Sequence, residues 1–81
     1  MIKYPLSTEK AIKMMELDNK LVFVVDRRAH KPEVKKEIED KFQVVVTGIN
    51  TLIDRDGKKR AIVTLSPETP AIDVATNLGL L

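Results

Sequence analysis

The stretch GINTLIDRDGKKRAIVTLSPE, Gly48 to Glu68, decides the fold. Two runs of mainly apolar and β-branched residues flank Asp54-Arg55-Asp56-Gly57, a turn in which Gly57 can take positive φ. They read as a hairpin: a long strand, VVVTGINTLI, and a returning strand, KKRAIVTLS. Two features do not follow from hairpin formation. Asn50-Thr51 places two small hydrogen-bonding side chains inside an apolar run, although strand interiors are depleted in Asn. Across the turn stand three consecutive cations, Lys58, Lys59 and Arg60.

Upstream, KLVFVVD carries five consecutive apolar residues between polar ends. The run is too short for a helix and apolar on both alternating faces, which predicts a central strand covered on both sides. Between it and the hairpin, KPEVKKEIEDKF opens with Pro32 near the first helical position, where its missing N–H costs nothing. Val34, Ile38 and Phe42 form its buried stripe, and the pairs Glu37/Lys41 and Lys36/Asp40 lie on its wet side.

At the start of the chain, Met1 to Tyr4 reads as a short edge strand, and Pro5 bars a helix before it. Ser7 is the expected N-cap of a helix from Thr8 to Leu17 with Ala11, Ile12 and Met15 inward. Beyond the hairpin, Pro67 ends the strand and Thr69-Pro70 opens a last helix. Its inner face is Ile72, Ala75 and Leu78, and its stop is Gly79. The expected architecture is an α/β sandwich of the α+β type. It has a three- or four-stranded antiparallel or mixed sheet with helices on both faces, and residues 1–81 form a single domain.

Composition bounds the function. An apolar fraction of 43% with 32% charge belongs to a chain that folds. Without cysteine there is no disulfide or thiolate site, and packing alone, or a partner, must hold so small a domain. No apolar leader or membrane-length run is read, which makes the expected location cytoplasmic. The net charge of +2 does not announce a polyanion partner, yet all 14 cations lie in residues 1–60 and cluster locally: Lys10 with Lys13, Arg27-Arg28 with Lys31, and the triplet.

Catalytic chemistry finds little support. The chain has one histidine, no cysteine, no Gly-rich phosphate loop and no metal-ligand spacing, so neither enzyme, cofactor nor metal is expected. His30 reads as an exposed or capping residue. The triplet has two readings: edge lysines that discourage aggregation, or phosphate ligands. Asn50 likewise reads either as a bulge residue beside Gly48 or as one of several donors converging with Thr51 and the triplet on a surface that suits folded RNA. Thr8 and Lys10 beside a helix N-terminus make a possible phosphate seat. Tyr4, Phe23 and Phe42 lack the spacing of a base-stacking platform, and both phenylalanines read as core.

Taken in order, Pro5-Leu6-Ser7-Thr8-Glu9-Lys10, NKLVFVVD, KPEVKKEIEDKF, INTLIDRDGKKRAIVTL and LSPETPAIDVATNLG resemble the ribosomal protein twenty-three family of the large subunit, in its short archaeal form. The resemblance covers nearly the whole chain. It implies a non-catalytic domain seated on large-subunit rRNA near the polypeptide exit tunnel and among neighbouring ribosomal proteins. It also implies a share in the docking surface for signal recognition particle and the protein-conducting channel, without membrane insertion. The implied RNA-facing residues are Thr8, Lys10, Asn50, Thr51, Arg55, Lys58, Lys59 and Arg60. QVVVTGI lacks the bases the family carries there, and the turn at Asp54 to Gly57 is too short for a tunnel-probing loop, so the domain is expected to stop at the tunnel rim. A protein-docking face is expected on the outer side of the second helix, at Lys35, Lys36, Glu39 and Asp40. The competing reading is a ferredoxin-like regulatory or protein-interaction module without nucleic acid.

Overall fold

The computed structural model describes residues 2–79, so Met1 of the expected edge strand lies outside the described residues. Seven elements follow one another: β1 (Ile2–Pro5), α1 (Glu9–Asp18), β2 (Lys20–Val25), α2 (Lys31–Phe42), β3 (Val46–Ile53), β4 (Lys59–Leu65) and α3 (Ala71–Asn77). The four strands form one fully antiparallel sheet in the order β1-β2-β4-β3.

The hairpin forms as its turn chemistry dictates. The Asp54 carboxylate accepts from the backbone N–H groups of Asp56 at 2.9 Å and Lys58 at 3.1 Å, and Gly57 sits at φ 79°. An Asx-type cap and a glycine at positive φ let the chain reverse without straining a side chain. β4 then pairs on its other side with β2, which makes β2 interior, and Leu21 to Val25 are all buried.

Strand alternation gives the sheet two unlike faces. One face carries Leu21, Phe23 and Val25 of β2, Ala61, Val63 and Leu65 of β4, and Ile49 of β3. It meets Val34 and Ile38 of α2, Ala71, Val74 and Ala75 of α3, and Met15 of α1 in the main core. Phe23 stacks on Phe42 with ring centroids 5.9 Å apart. Each large side chain buried here contributes about 1.5–3 kcal/mol. The opposite face carries Val22, Val24, Arg60, Ile62, Asn50 and Leu52, and among the described residues α1 is the helix that approaches it, through Ala11 and Met14. The helices therefore cover the two faces unequally.

Three local expectations shift. The N-cap of α1 is Thr8 and not Ser7: Thr8 Oγ1 accepts from Ala11 N–H at 3.2 Å. The reason is that Leu6 N–H still donates to Val22 O at 2.9 Å, so the chain leaves the sheet one residue later than Pro5 implies. β3 begins at Val46 and not Val44, because Gln43 in the left-handed region ends α2 and leaves a short link in which Val44 is buried and Val45 exposed. In α3 the inner residues are Ala71, Val74 and Ala75, with Leu78 partly buried, while Ile72 points out. Asn19, remote in sequence, captures Ala71 N–H at 2.6 Å and turns that residue onto the sheet.

Candidate nucleic-acid interface

Alternation along β3 and β4 splits the two features that opened the sequence reading. Lys59 pairs with Val25 and Ile53 on the core side, where its ammonium donates to Ala29 O at 2.7 Å. Arg60 pairs with Val24 and Leu52 on the other side, and Lys58 reaches the Tyr4 hydroxyl at 3.3 Å. Asn50 is exposed opposite Ile62, whereas Thr51 lies opposite Ala61 on the core side. The expected convergence of all these donors on one surface is therefore corrected. Adjacent strand residues face opposite ways, so a consecutive pair or triplet cannot share a face. A bulge does lie beside Gly48, between Val46 and Gly48, but Asn50 is in the regular ladder beyond it.

What the fold assembles instead is a basic groove of about 190 Å³ at the turn end of the sheet, lined by Lys3 and Tyr4 of β1, Val24, Val25, Arg27, Gly57, Lys58 and Lys59. Four cations from three separate segments meet there, and its lining contains no acid. The Lys59 to Ala29 bond brings the loop after β2 against the hairpin and so sets Arg27 beside Lys58. The Tyr4 hydroxyl, above all, keeps the Lys58 ammonium protonated to higher pH than usual, and the charges of Tyr4, Asp56 and Asp54 assist. Asp26 borders the groove, but its carboxylate is occupied by Arg28 N–H at 2.8 Å. That bond, chiefly, lowers its pKa against an opposing desolvation effect, with the charges of Lys3 and Arg28 adding to the lowering. Lys3, Tyr4 and Arg27 were not among the residues expected from sequence. The Arg27-Arg28 cluster signalled one of them, and only the β1–β2 pairing reveals the other two.

A second hollow, about 140 Å³, opens on the exposed face between α1 and the sheet. Val22 and Ile62 line it from the sheet, Leu6, Ala11, Met14 and Leu52 add further apolar surface, and Thr8, Lys10 and Arg60 supply its polar groups. Arg60 Nε donates to Asp54 Oδ2 at 3.0 Å, which uses one of the five guanidinium N–H donors and fixes the plane of the rest. Asp54 is partly desolvated, which pushes its pKa up. The N–H bonds from Lys58 and Asp56, with the charge and hydrogen bond of Arg60, more than reverse this and hold it below the usual range.

Arg55 is exposed in the turn and lines neither hollow; it shares a shallow depression with Ile53, Asp54, Asp56 and Arg60. On α2, Lys35, Lys36 and Asp40 are exposed, but Glu39 is half-buried and its carboxylate accepts from Val46 N–H at 3.1 Å. It holds the start of β3, so this member of the expected docking face also serves the domain's own structure. His30 occupies the N-cap of α2, where its N–H donates to Glu33 at 3.3 Å. Among the described residues no group of three or more His, Asp or Glu side chains could hold a metal ion, and no helix is long and apolar enough to cross a membrane.

The sequence pattern of the family described as Ribosomal protein L23 matches residues 1–73. The large ribosomal subunit protein uL23 of Trypanosoma brucei brucei is 48% identical over 80 residues, which cover 99% of this chain and 49% of that protein. The chain thus spans about half the length of the curated relative it matches. A match over residues 1–73, across all four strands and into the last helix, shows that the chain belongs to the ribosomal protein L23 family, whose members are structural components of the ribosome and not enzymes.

Proposed function

We propose that this domain is an rRNA-binding structural constituent of the large ribosomal subunit, seated near the polypeptide exit tunnel beside neighbouring ribosomal proteins. The observation that carries the reading is the acid-free groove where Lys3, Arg27, Lys58 and Lys59 converge from separate segments. Converging cations suit a phosphate backbone, because each neutralised phosphate releases condensed counterions and lets RNA helices approach that would otherwise repel. Exposed Asn50 and the Arg60 guanidinium add directional donors for 2′-hydroxyls and base edges on the same side of the hairpin. Thr8 and Lys10 extend that surface across the start of α1. Thr51, facing the core side, contributes through packing. The exit-tunnel position, and docking of signal recognition particle or the protein-conducting channel through Lys35, Lys36 and Asp40, are supported by family membership and by the exposure of those side chains.

The test is binding of the purified chain to large-subunit rRNA fragments and to an unrelated RNA of equal length, with salt varied. Phosphate contacts from Lys3, Arg27 and Lys58 give a slope of log affinity against log salt of about −2 to −3. Preference for one fragment with that slope, reduced by Lys3→Ala and Arg27→Ala together, is the expected result. Equal, weak binding to every RNA, unmoved by the substitutions, would overturn the reading in favour of a protein-interaction module.

A further inference from the structure

The apolar hollow between α1 and the open sheet face is not explained by phosphate binding, since a groove for charge alone needs no lining of Met14, Leu52 and Ile62. Leu52 is 44% exposed on the face that α1 covers only in part, a position where a strand ordinarily carries a polar residue. The lining carries two cations, Lys10 and Arg60, and no carboxylate. At about 140 Å³ it is well below the roughly 300 Å³ at which sites for drug-sized ligands begin. It suits one flat ring system inserted edgewise.

Resting on the RNA-binding reading, we propose that this hollow receives a single unstacked nucleobase of the bound RNA, with Lys10 and Arg60 holding the phosphates that flank it. Charge complementarity favours this occupant over an apolar protein side chain. An aliphatic residue would leave Lys10 and the guanidinium donors of Arg60 that Asp54 does not take without partners, whereas a nucleotide presents an apolar ring and an adjacent phosphate in one unit. Recognition of RNA by proteins commonly targets such splayed-out bases in loops and bulges. The Nε bond from Arg60 to Asp54 presets the guanidinium for this role, so less rotamer freedom is lost on binding. Met14, unbranched and adaptable, lets the hollow close on a purine or a pyrimidine.

The experiment compares the whole chain with two variants that fill the hollow, Met14→Trp and Leu52→Trp, on the preferred large-subunit rRNA fragment. Leu52 is already exposed, so its replacement leaves the fold intact even if the helix variant does not fold. Filling should weaken binding about tenfold without changing the salt slope, since a base contact releases no counterions. Chemical footprinting identifies the nucleotide protected by the wild-type chain and not by the variants. A transcript abasic at that nucleotide should lose the same factor with wild-type protein and nothing more with Leu52→Trp. Specific binding that both variants retain in full would overturn the proposal while leaving the RNA reading standing, and would hand the hollow to a protein side chain. Loss of all fragment preference by the wild-type chain would overturn both.

Discussion

Asn19 and Ala71 lie 52 positions apart and are joined by a short hydrogen bond, Ala71 N–H donating to Asn19 Oδ1 at 2.6 Å. Asn19 itself ends α1 in the left-handed region at φ 54°. Its amide nitrogen donates to Leu65 O, Ser66 O and Thr69 O at 3.2, 3.0 and 3.2 Å. One side chain thus caps α1 with its backbone, satisfies the carbonyls where β4 ends and seats the first turn of α3. A capping asparagine tolerates the left-handed conformation that β-branched residues do not.

Replacing Asn19 separates these roles. Asn19→Gly keeps the backbone relaxed and loses the side-chain bonds, so that Ala71 N–H and the Leu65 and Thr69 carbonyls lose their Asn19 partner, at a cost of about 2 kcal/mol. Asn19→Ala loses the same bonds and adds about 1 kcal/mol of left-handed strain. For a domain of this size each kcal/mol lowers Tm by about 4–8 °C, so thermal unfolding should rank wild type above Gly above Ala. Equal Tm for the Gly and Ala variants would deny the strain.

The turn makes a prediction in acid. The folded pKa of Asp54 is lowered, so its stabilising effect is complete above the unfolded value of about 3.9 and is lost as pH falls through the folded value. Asp54→Asn should be less stable than wild type at neutral pH, and the gap should close below about pH 4. Urea unfolding at a series of pH values reads this directly. A gap that stays constant down to pH 2 would mean that the carboxylate charge plays no part.

The fold was legible where the chain encodes its own local answer. The hairpin announces itself through Asp54 and Gly57, and KLVFVVD through its two-sided apolarity. The register of α3 was not legible, because the group that sets it is Asn19, and nothing in Thr69-Pro70-Ala71 points there. The site divides on the same principle. Lys58, Arg60 and Asn50 were read from composition, but Lys59 and Thr51 were grouped with them by adjacency although strand geometry sends neighbours to opposite faces. Lys3 and Tyr4 join the groove only through pairing of β1 with β2, a contact across about twenty residues that no short motif records.

On α2, the four side chains once grouped as a docking face should behave as two classes. Glu39→Ala removes the acceptor for Val46 N–H and should destabilise the domain by about 1 kcal/mol, with Glu39→Gln recovering most of it. Lys35→Ala and Lys36→Ala, fully on the wet side, should change stability by less than about 0.5 kcal/mol. Denaturant titration of the four variants distinguishes the classes, and a neutrality at Glu39 like that expected of Lys35 and Lys36 would leave it free for the docking surface.

The two adjacent lysines give the sharpest test of the interface. Lys58 is exposed on the groove, and its ammonium donates to a tyrosine hydroxyl, so Lys58→Ala should leave stability nearly unchanged and reduce the salt slope of rRNA binding by about 1. Lys59 spends its ammonium on Ala29 O at 2.7 Å, which ties the loop bearing Arg27 to the hairpin. Lys59→Ala should therefore cost about 1 kcal/mol of stability and weaken RNA binding indirectly, by releasing Arg27 from the groove. Arg27→Ala made on top of Lys59→Ala should then cost less affinity than the same change in the wild-type chain, the mark of two residues acting through one contact. Strict additivity of the pair would show that Lys59 touches phosphate itself, and the groove would then owe its Arg27 to the β2 loop alone.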